Sequence, residues 1–153
     1  MQKSIYSLLI LLAASSFFMN KVCAGDPIPG ISVGAGKNPG GQLMSNSKTG
    51  NDGKFTLQPI EKENYSLNIS YEEIVKKVNE LTKGKASNRS GYGYKLQLEG
   101  IFQNLIVKGK PIRMPGSGGV TITITKETTI SFDIPAGTAI KGILTYESKK
   151  MTQ

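Results

Sequence analysis

The sequence contains no histidine and no tryptophan, and it has a single cysteine, Cys23. Histidine is the most common general base near neutral pH, and histidine and cysteine supply most of the ligands of protein-bound zinc and copper. Their scarcity excludes zinc or copper sites made of these residues, and it removes the Ser-His and Cys-His pairs of many hydrolases. We therefore expect no catalytic residue, no metal site and no cofactor site in this chain.

The N-terminus has the three parts of a secretory signal peptide. Lys3 carries a positive charge, residues 5–19 are mainly apolar, and Ala24 is a small residue before a plausible cleavage point at Gly25. The apolar run is shorter than the about 20 residues that a transmembrane helix requires. The sequence predicts that residues 1–24 form a signal peptide and that the protein is exported, to the periplasm or the extracellular space. An uncleaved N-terminal anchor is the alternative.

Cleavage at this point leaves residues 25–153, a length that fits a single domain with no membrane span. The exported domain then lacks Cys23 and has no disulfide bond. Attachment of a lipid to Cys23 is disfavoured, because Lys21 and Val22 stand where small residues usually precede a lipid-modified cysteine. The net charge of the full chain is +8. Its lysines are scattered, which indicates solubility, and export argues against a nucleic-acid partner.

Most of the domain alternates between apolar and polar residues in short segments. The clearest example is Val120 to Ile124, in which threonines separate three β-branched apolar residues. This period of two is typical of half-buried strands, and turns rich in glycine and proline separate the segments. The pattern predicts a mostly β fold, an antiparallel β-sandwich of about seven to eight strands.

One segment has the period of a helix. Ser70 and Glu73 have the spacing of a capping box, and Lys83 followed by Gly84 is typical of a C-terminus. We therefore expect one short α-helix at about 71–83. Its apolar stripe consists of five residues at helical spacing: Tyr71, Ile74, Val75, Val78 and Leu81.

Three motifs follow one another between residues 28 and 70. They are a Pro-Gly pair before alternating apolar residues, a threonine shortly before a glycine and an aromatic residue, and a tyrosine in an alternating segment: residues 28–33, 49–57 and 65–69. In this order they resemble the carboxypeptidase regulatory-like domains, which are transthyretin-like β-sandwiches. The resemblance implies a hairpin in which Gly53 makes the turn, while Phe55 and Tyr65 enter the core.

Two residues depart from the pattern of that family. Gly50 replaces an acidic residue that usually follows the threonine, and Asn64 replaces a glycine that usually precedes the tyrosine. Such domains are generally non-catalytic and occur in exported proteins, attached to enzymes, receptors or surface structures. The resemblance implies an accessory or binding component of the cell envelope or surface, with another envelope or surface protein as its partner.

The loop at residues 85–94 contains the candidate contact residues. Arg89, Tyr92 and Tyr94 place a guanidinium group near two tyrosines that glycines flank. Such a group can stack on a sugar or dock a partner protein, so a carbohydrate-binding module is the alternative function. In a structural interpretation, Tyr94 begins a strand and points into the core while Tyr92 covers the end of the sandwich. A hydrolase is the least favoured alternative, because the acidic residues lie mostly in expected turns and on the polar side of the helix.

Maturation provides the first test. We expect the exported protein to begin at Gly25 and to carry no lipid, because its leader has all three regions of a signal peptide. N-terminal sequencing and intact mass of exported material measure this directly. A species that retains Cys23 with the added mass of a diacylglycerol would contradict the prediction.

Overall fold

The computed structural model describes residues 25–39, 41–58, 61–84, 91–100, 102–113 and 119–149. The expected signal peptide, residues 1–24, and the candidate contact Arg89 lie outside these described residues.

The described residues form two antiparallel sheets and one helix, which confirms the predicted mostly β sandwich. Most of the longer strands coincide with alternating segments of the sequence, and the two strands of two residues each are too short to show a period. In chain order the elements are β1 (Asp26–Pro27), β2 (Ser32–Lys37), β3 (Leu43–Lys48), β4 (Lys54–Leu57), β5 (Asn64–Ile69), α1 (Tyr71–Leu81), β6 (Tyr92–Glu99), β7 (Gln103–Val107), β8 (Lys110–Pro111), β9 (Val120–Ile124), β10 (Ile130–Asp133) and β11 (Ile140–Ser148).

The strands divide into a five-stranded sheet, here sheet I, and a six-stranded sheet, sheet II. In sheet I, β11 pairs with β6 on one side and with β4 and β1 on the other, and β9 lies beyond β6. Sheet II has the order β3-β2-β5-β10-β7-β8. Chain neighbours therefore often lie in different sheets, and the segments between them cross from one sheet to the other.

The core lies between the two sheets and follows the alternation of the sequence. In β9 the three apolar residues are buried and the two threonines are exposed. Phe55 is 3% exposed and Tyr65 is fully buried, so both enter the core as expected. Phe55 lies over Gly142, its partner in β11, where a Cβ would stand 2.5 Å from the ring. Glycine at position 142 therefore provides the space that the aromatic ring fills.

The expected hairpin around Gly53 is wrong, because β3 lies in sheet II and β4 in sheet I. Gly53 does make a tight turn: its φ is 73°, and its N–H donates to the carbonyl of Gly50 at 2.9 Å. A Cβ at this position would stand 2.5 Å from the carbonyl oxygen of Leu144. The turn carries the chain across the sandwich, and a hairpin and a crossing both need the same tight-turn residues.

The helix begins as the sequence indicates. The Ser70 hydroxyl accepts a hydrogen bond from the N–H of Glu73 at 3.3 Å, as in a capping box. The carboxylate of Glu73 accepts from the N–H of Ser32 at 3.4 Å, which connects the helix to β2. Ile74 and Val78 are fully buried, and Tyr71 and Val75 pack against the core, whereas Leu81 at the end of the predicted stripe is 41% exposed.

The helix ends two residues earlier than expected. Lys83 and Gly84 have φ of 53° and 83°, so both lie beyond the last helical turn. The N–H of Gly84 donates to the carbonyl of Asn79 at 2.9 Å and closes the C-terminus. Lysine was expected inside the last turn, but it occupies the left-handed position that ends the helix.

Thr49 connects two segments that cross between the sheets, the one from β1 to β2 and the one from β3 to β4. It is 4% exposed, and its hydroxyl donates to the carbonyl of Ile28 at 2.6 Å and accepts from the N–H of Ile31 at 2.9 Å. Its backbone also pairs with Gly30 and Ile31, at 2.8 and 2.9 Å. The segment between β1 and β2 is therefore fixed to the end of β3.

Replacement of Thr49 by valine tests this connection. Valine has the same shape but no hydroxyl, so the carbonyl of Ile28 and the N–H of Ile31 would each lose a partner. We expect Thr49→Val to lower the free energy of unfolding by about 2–4 kcal/mol, measured by chemical denaturation. Thr49→Ser keeps the hydroxyl and should cost less.

The exposed Thr56 in β4 offers a matched control. Thr56→Val should change stability by no more than about 0.5 kcal/mol. A loss in Thr49→Val no larger than that in Thr56→Val would show that the Thr49 hydroxyl does not stabilise the crossing.

Candidate functional site

An open groove of about 990 Å³ lies over the outer face of sheet II; we call it the sheet II groove. Its floor includes Gly34 of β2, Ser66 and Asn68 of β5 and Ser131 of β10. These residues face outward because their neighbours in each strand point into the core. Because all of these side chains are short, the floor lies close to the backbone of the sheet.

Two aliphatic side chains flank this floor. Leu43 of β3 is 47% exposed and Ile106 of β7 is 36% exposed. A Cβ at Gly34 would stand 2.6 Å from the Leu43 side chain, so Leu43 lies directly over this glycine. Leu43 thus accounts for a glycine inside β2, which would otherwise suggest close approach of a ligand to the backbone.

The middle of the groove carries no charge. Among its described lining residues only Lys48 and Glu73 are charged. Both lie next to Ser32 at one end, since Lys48 is the strand partner of Ser32 and Glu73 accepts its N–H. The rest of the lining presents hydroxyl groups, amides and aliphatic carbon. Such a surface can exchange hydrogen bonds with a neutral polar ligand.

A row of amides crosses the strands beside the groove. Asn38 donates to the side-chain oxygen of Asn64 at 2.7 Å, and Asn64 donates to Asp133 Oδ1 at 2.7 Å. Asn104 donates to Asp133 Oδ2 at 2.7 Å from the other side. Asn104 has φ of 50° and occupies an irregularity in the pairing of β7 with β10. Through the carboxylate of Asp133, the row connects β5, β7, β10 and the residue that follows β2.

These hydrogen bonds define the electrostatics of Asp133. The hydrogen bond from Asn104, and to a smaller extent the one from Asn64, holds the pKa of the Asp133 carboxyl below its usual value. Both amides favour the ionised form of the carboxyl. A carboxylate with a lowered pKa is a weak general base. Asp133 alternates with the buried Phe132 and Ile134 and so faces outward, but nothing in the local pattern indicates that two asparagines from other strands bind it.

The three residues of the predicted contact loop have different positions. Tyr94 is 7% exposed in β6, and its ring lies edge-on to Tyr71 of α1, with centroids 5.8 Å apart. Burial, with a smaller effect of Tyr71, raises the pKa of the Tyr94 hydroxyl. The structural interpretation therefore applies to Tyr94, which points into the core and is not available as a surface contact. Arg89 lies outside the described residues.

Tyr92 is half-buried, and its ring centroid lies 6.0 Å from that of Tyr146. Tyr92 and Tyr146, here the tyrosine pair, lie on strands β6 and β11 of sheet I. Burial is the main cause of a raised pKa at Tyr146. Tyr146 was missed in the sequence because only the register of β11 on β6 brings it to the same end of the sheet as Tyr92. Both rings pack against the edge of the core, and Tyr92 is the described residue of the predicted contact set that stays partly accessible.

Comparisons with family models, curated proteins and solved structures find no match to this chain. Within the described ranges, no helix has the length and apolarity to cross a membrane. The same residues contain no group of three or more histidine, cysteine, aspartate or glutamate side chains arranged to hold a metal ion. The class that the structure establishes is an antiparallel β-sandwich, and its function has to be inferred from its surfaces.

The Asp133 hydrogen bonds predict a dependence of stability on pH. Because the native pKa is lowered, the stabilisation is present above the unfolded pKa of about 3.9 and is lost as the pH falls through the native value. We expect Asp133→Asn to be less stable than the wild type near neutral pH, and the difference to shrink in acid. Thermal unfolding of both proteins between about pH 6 and pH 2 measures it. A difference that stays constant over this range would show that ionisation of Asp133 does not stabilise the row.

Proposed function

We propose that the protein is an exported, non-catalytic binding protein, an accessory component of the cell envelope or surface. The leader supports export, and the resemblance of residues 28–70 to carboxypeptidase regulatory-like domains supports an accessory role. The observation that carries the proposal is the sheet II groove, whose lining suits binding better than acid–base chemistry.

The lining of the groove fits a segment of a partner protein. An extended polypeptide offers apolar side chains and backbone amides in alternation, at spacings that a sheet surface can match. Leu43 and Ile106 provide apolar contacts at the two sides, and Asn68 and Ser66 provide hydrogen-bonding groups between them. The preferred partner is therefore an envelope or surface protein that places such a segment across the groove.

A carbohydrate ligand is the second candidate, and the tyrosine pair favours it. Two half-buried tyrosine rings present apolar faces with polar edges, which suits stacking on a sugar ring. This function would use the end of sheet I and not the sheet II groove. The two candidates thus predict different contact residues.

Site-specific photocrosslinking in the producing cells separates the two candidates. A photoreactive side chain at Asn68 should give an adduct with one envelope protein, identified by mass spectrometry. The same group at Thr56, which is exposed on sheet I, is the matched control and should give no such adduct.

Filling the groove provides the quantitative test. Ser66→Arg together with Ser131→Arg would place two long charged side chains on the floor, and affinity for the crosslinked partner should fall at least about tenfold. Thr56→Arg should leave affinity unchanged. Two results together would instead favour the carbohydrate function. Adducts would form only from a photoreactive group at position 92, and the protein would bind on a glycan array in a way that Tyr92→Ala removes.

A further inference from the structure

The free edges of the two sheets differ in how they are protected against pairing with another chain. Natural sheets protect such edges with short strands, proline, lysine or irregular pairing. Both β1 and β8 have two residues, one of them proline. The four-residue β4 begins with Lys54, and β3 has a register shift and ends at Lys48. Each of these edges therefore carries at least one protective feature.

Strand β9 has none of these features. Its five residues, Val-Thr-Ile-Thr-Ile, include no charge, no proline and no glycine. Among the described strands it pairs only with β6, in a regular register without a shift. An edge of β-branched, uncharged residues is a template for a further strand.

The hydrogen bonds of sheet I identify the groups that face outward from this edge. The N–H of Lys149 donates to the carbonyl of Gly91 at 2.6 Å, which fixes the hydrogen-bonded pairs between β11 and β6. Because these pairs alternate, the backbone groups of Leu96 face β9 and bind its partner Ile122. The backbone groups of Thr121 and Thr123 therefore face away from the sheet. In agreement, the hydroxyl of Thr128, beyond β9, donates to the carbonyl of Thr123 at 3.4 Å, and the second lone pair of this carbonyl remains for a partner strand.

The outward edge of β9 is complementary to itself. If two copies meet antiparallel about a two-fold axis at Ile122, Thr121 of one copy pairs with Thr123 of the other. Each such pair can exchange two backbone hydrogen bonds, and the symmetry provides two pairs. Val120 then stands opposite Ile124, so apolar residues continue the core side and threonines the outer side. No like charges of β9 face each other.

We propose that the exported protein forms a symmetric dimer through β9, in which the two copies of sheet I join into one continuous sheet. The partner is a second copy of this chain, since its edge supplies the matching alternation and the matching backbone groups. The surface is separate from the sheet II groove, so dimerisation leaves the groove of each copy open.

Two charged double variants test this particular register. Thr121→Glu/Thr123→Glu places carboxylates opposite each other in both symmetric pairs, and Thr121→Lys/Thr123→Glu places opposite charges there. Both variants put the same carboxylate beside Lys95 within one chain, and position 121 lies beside the neutral Gln97. They therefore differ mainly across the dimer interface.

Sedimentation over a concentration series should show a dimer for the wild type. The dissociation constant should rise about tenfold or more in the double glutamate variant and return toward the wild-type value in the lysine–glutamate variant. A monomeric wild type at all concentrations would overturn the proposal, and so would equal dimerisation of both variants. The first result would leave the edge to a different partner, and the second would place the interface elsewhere.

Amide hydrogen exchange of the wild type keeps the test independent of how the variants fold. The N–H groups of Thr121 and Thr123 should become more protected as the protein concentration rises, while those of other exposed residues should not change. Fast exchange of both groups at concentrations where a dimer is present would also overturn the proposal.

Discussion

The Thr49 hydroxyl stabilises the point where the chain changes sheets twice within a short distance in space. One crossing runs from β1 to β2 and includes Ile28 and Ile31, and the other runs from β3 through Gly53 to β4. Thr49 directly follows β3, where the second crossing begins, and its side chain satisfies two backbone groups of the first crossing. Neither crossing is regular secondary structure, so its buried backbone groups depend on such partners.

The same two crossings meet the central strand of sheet I at one residue. The N–H of Ile28 donates to the carbonyl of Leu144 at 3.0 Å, and the N–H of Leu144 donates to the carbonyl of Gly53 at 2.9 Å. Leu144 is fully buried in β11, the strand that pairs with β6 along its length. The crossings are thus fixed both to each other, by Thr49, and to sheet I, by Leu144. Loss of the Thr49 hydroxyl would loosen the connection between the two sheets rather than one local turn.

The sequence predicts what depends on periodicity and leaves open what depends on register. Alternation indicates the strands and their buried faces, because one face of each strand has to leave water. It does not show that β3 and β4 belong to different sheets, nor that Tyr146 would lie beside Tyr92. The end of the helix was misplaced at Lys83 because a left-handed lysine and a helical lysine look alike in sequence. The hydrogen bonds of Asp133 leave no local pattern in the sequence, because its partners Asn64 and Asn104 come from distant parts of the chain.

The candidate surfaces are least predictable because folding constrains their residues only weakly. The threonines of β9 and the serines of the sheet II groove both occupy outward positions, where any small polar residue preserves the fold. What distinguishes them is context: Leu43 lies over Gly34 at one side of the groove, and β9 lies at the edge of its sheet without the protection of the other edges. An unprotected edge persists in a soluble protein only if its pairing is harmless or useful. A closed two-fold dimer meets that condition, since it pairs the two β9 edges with each other and leaves only the protected edges of each copy.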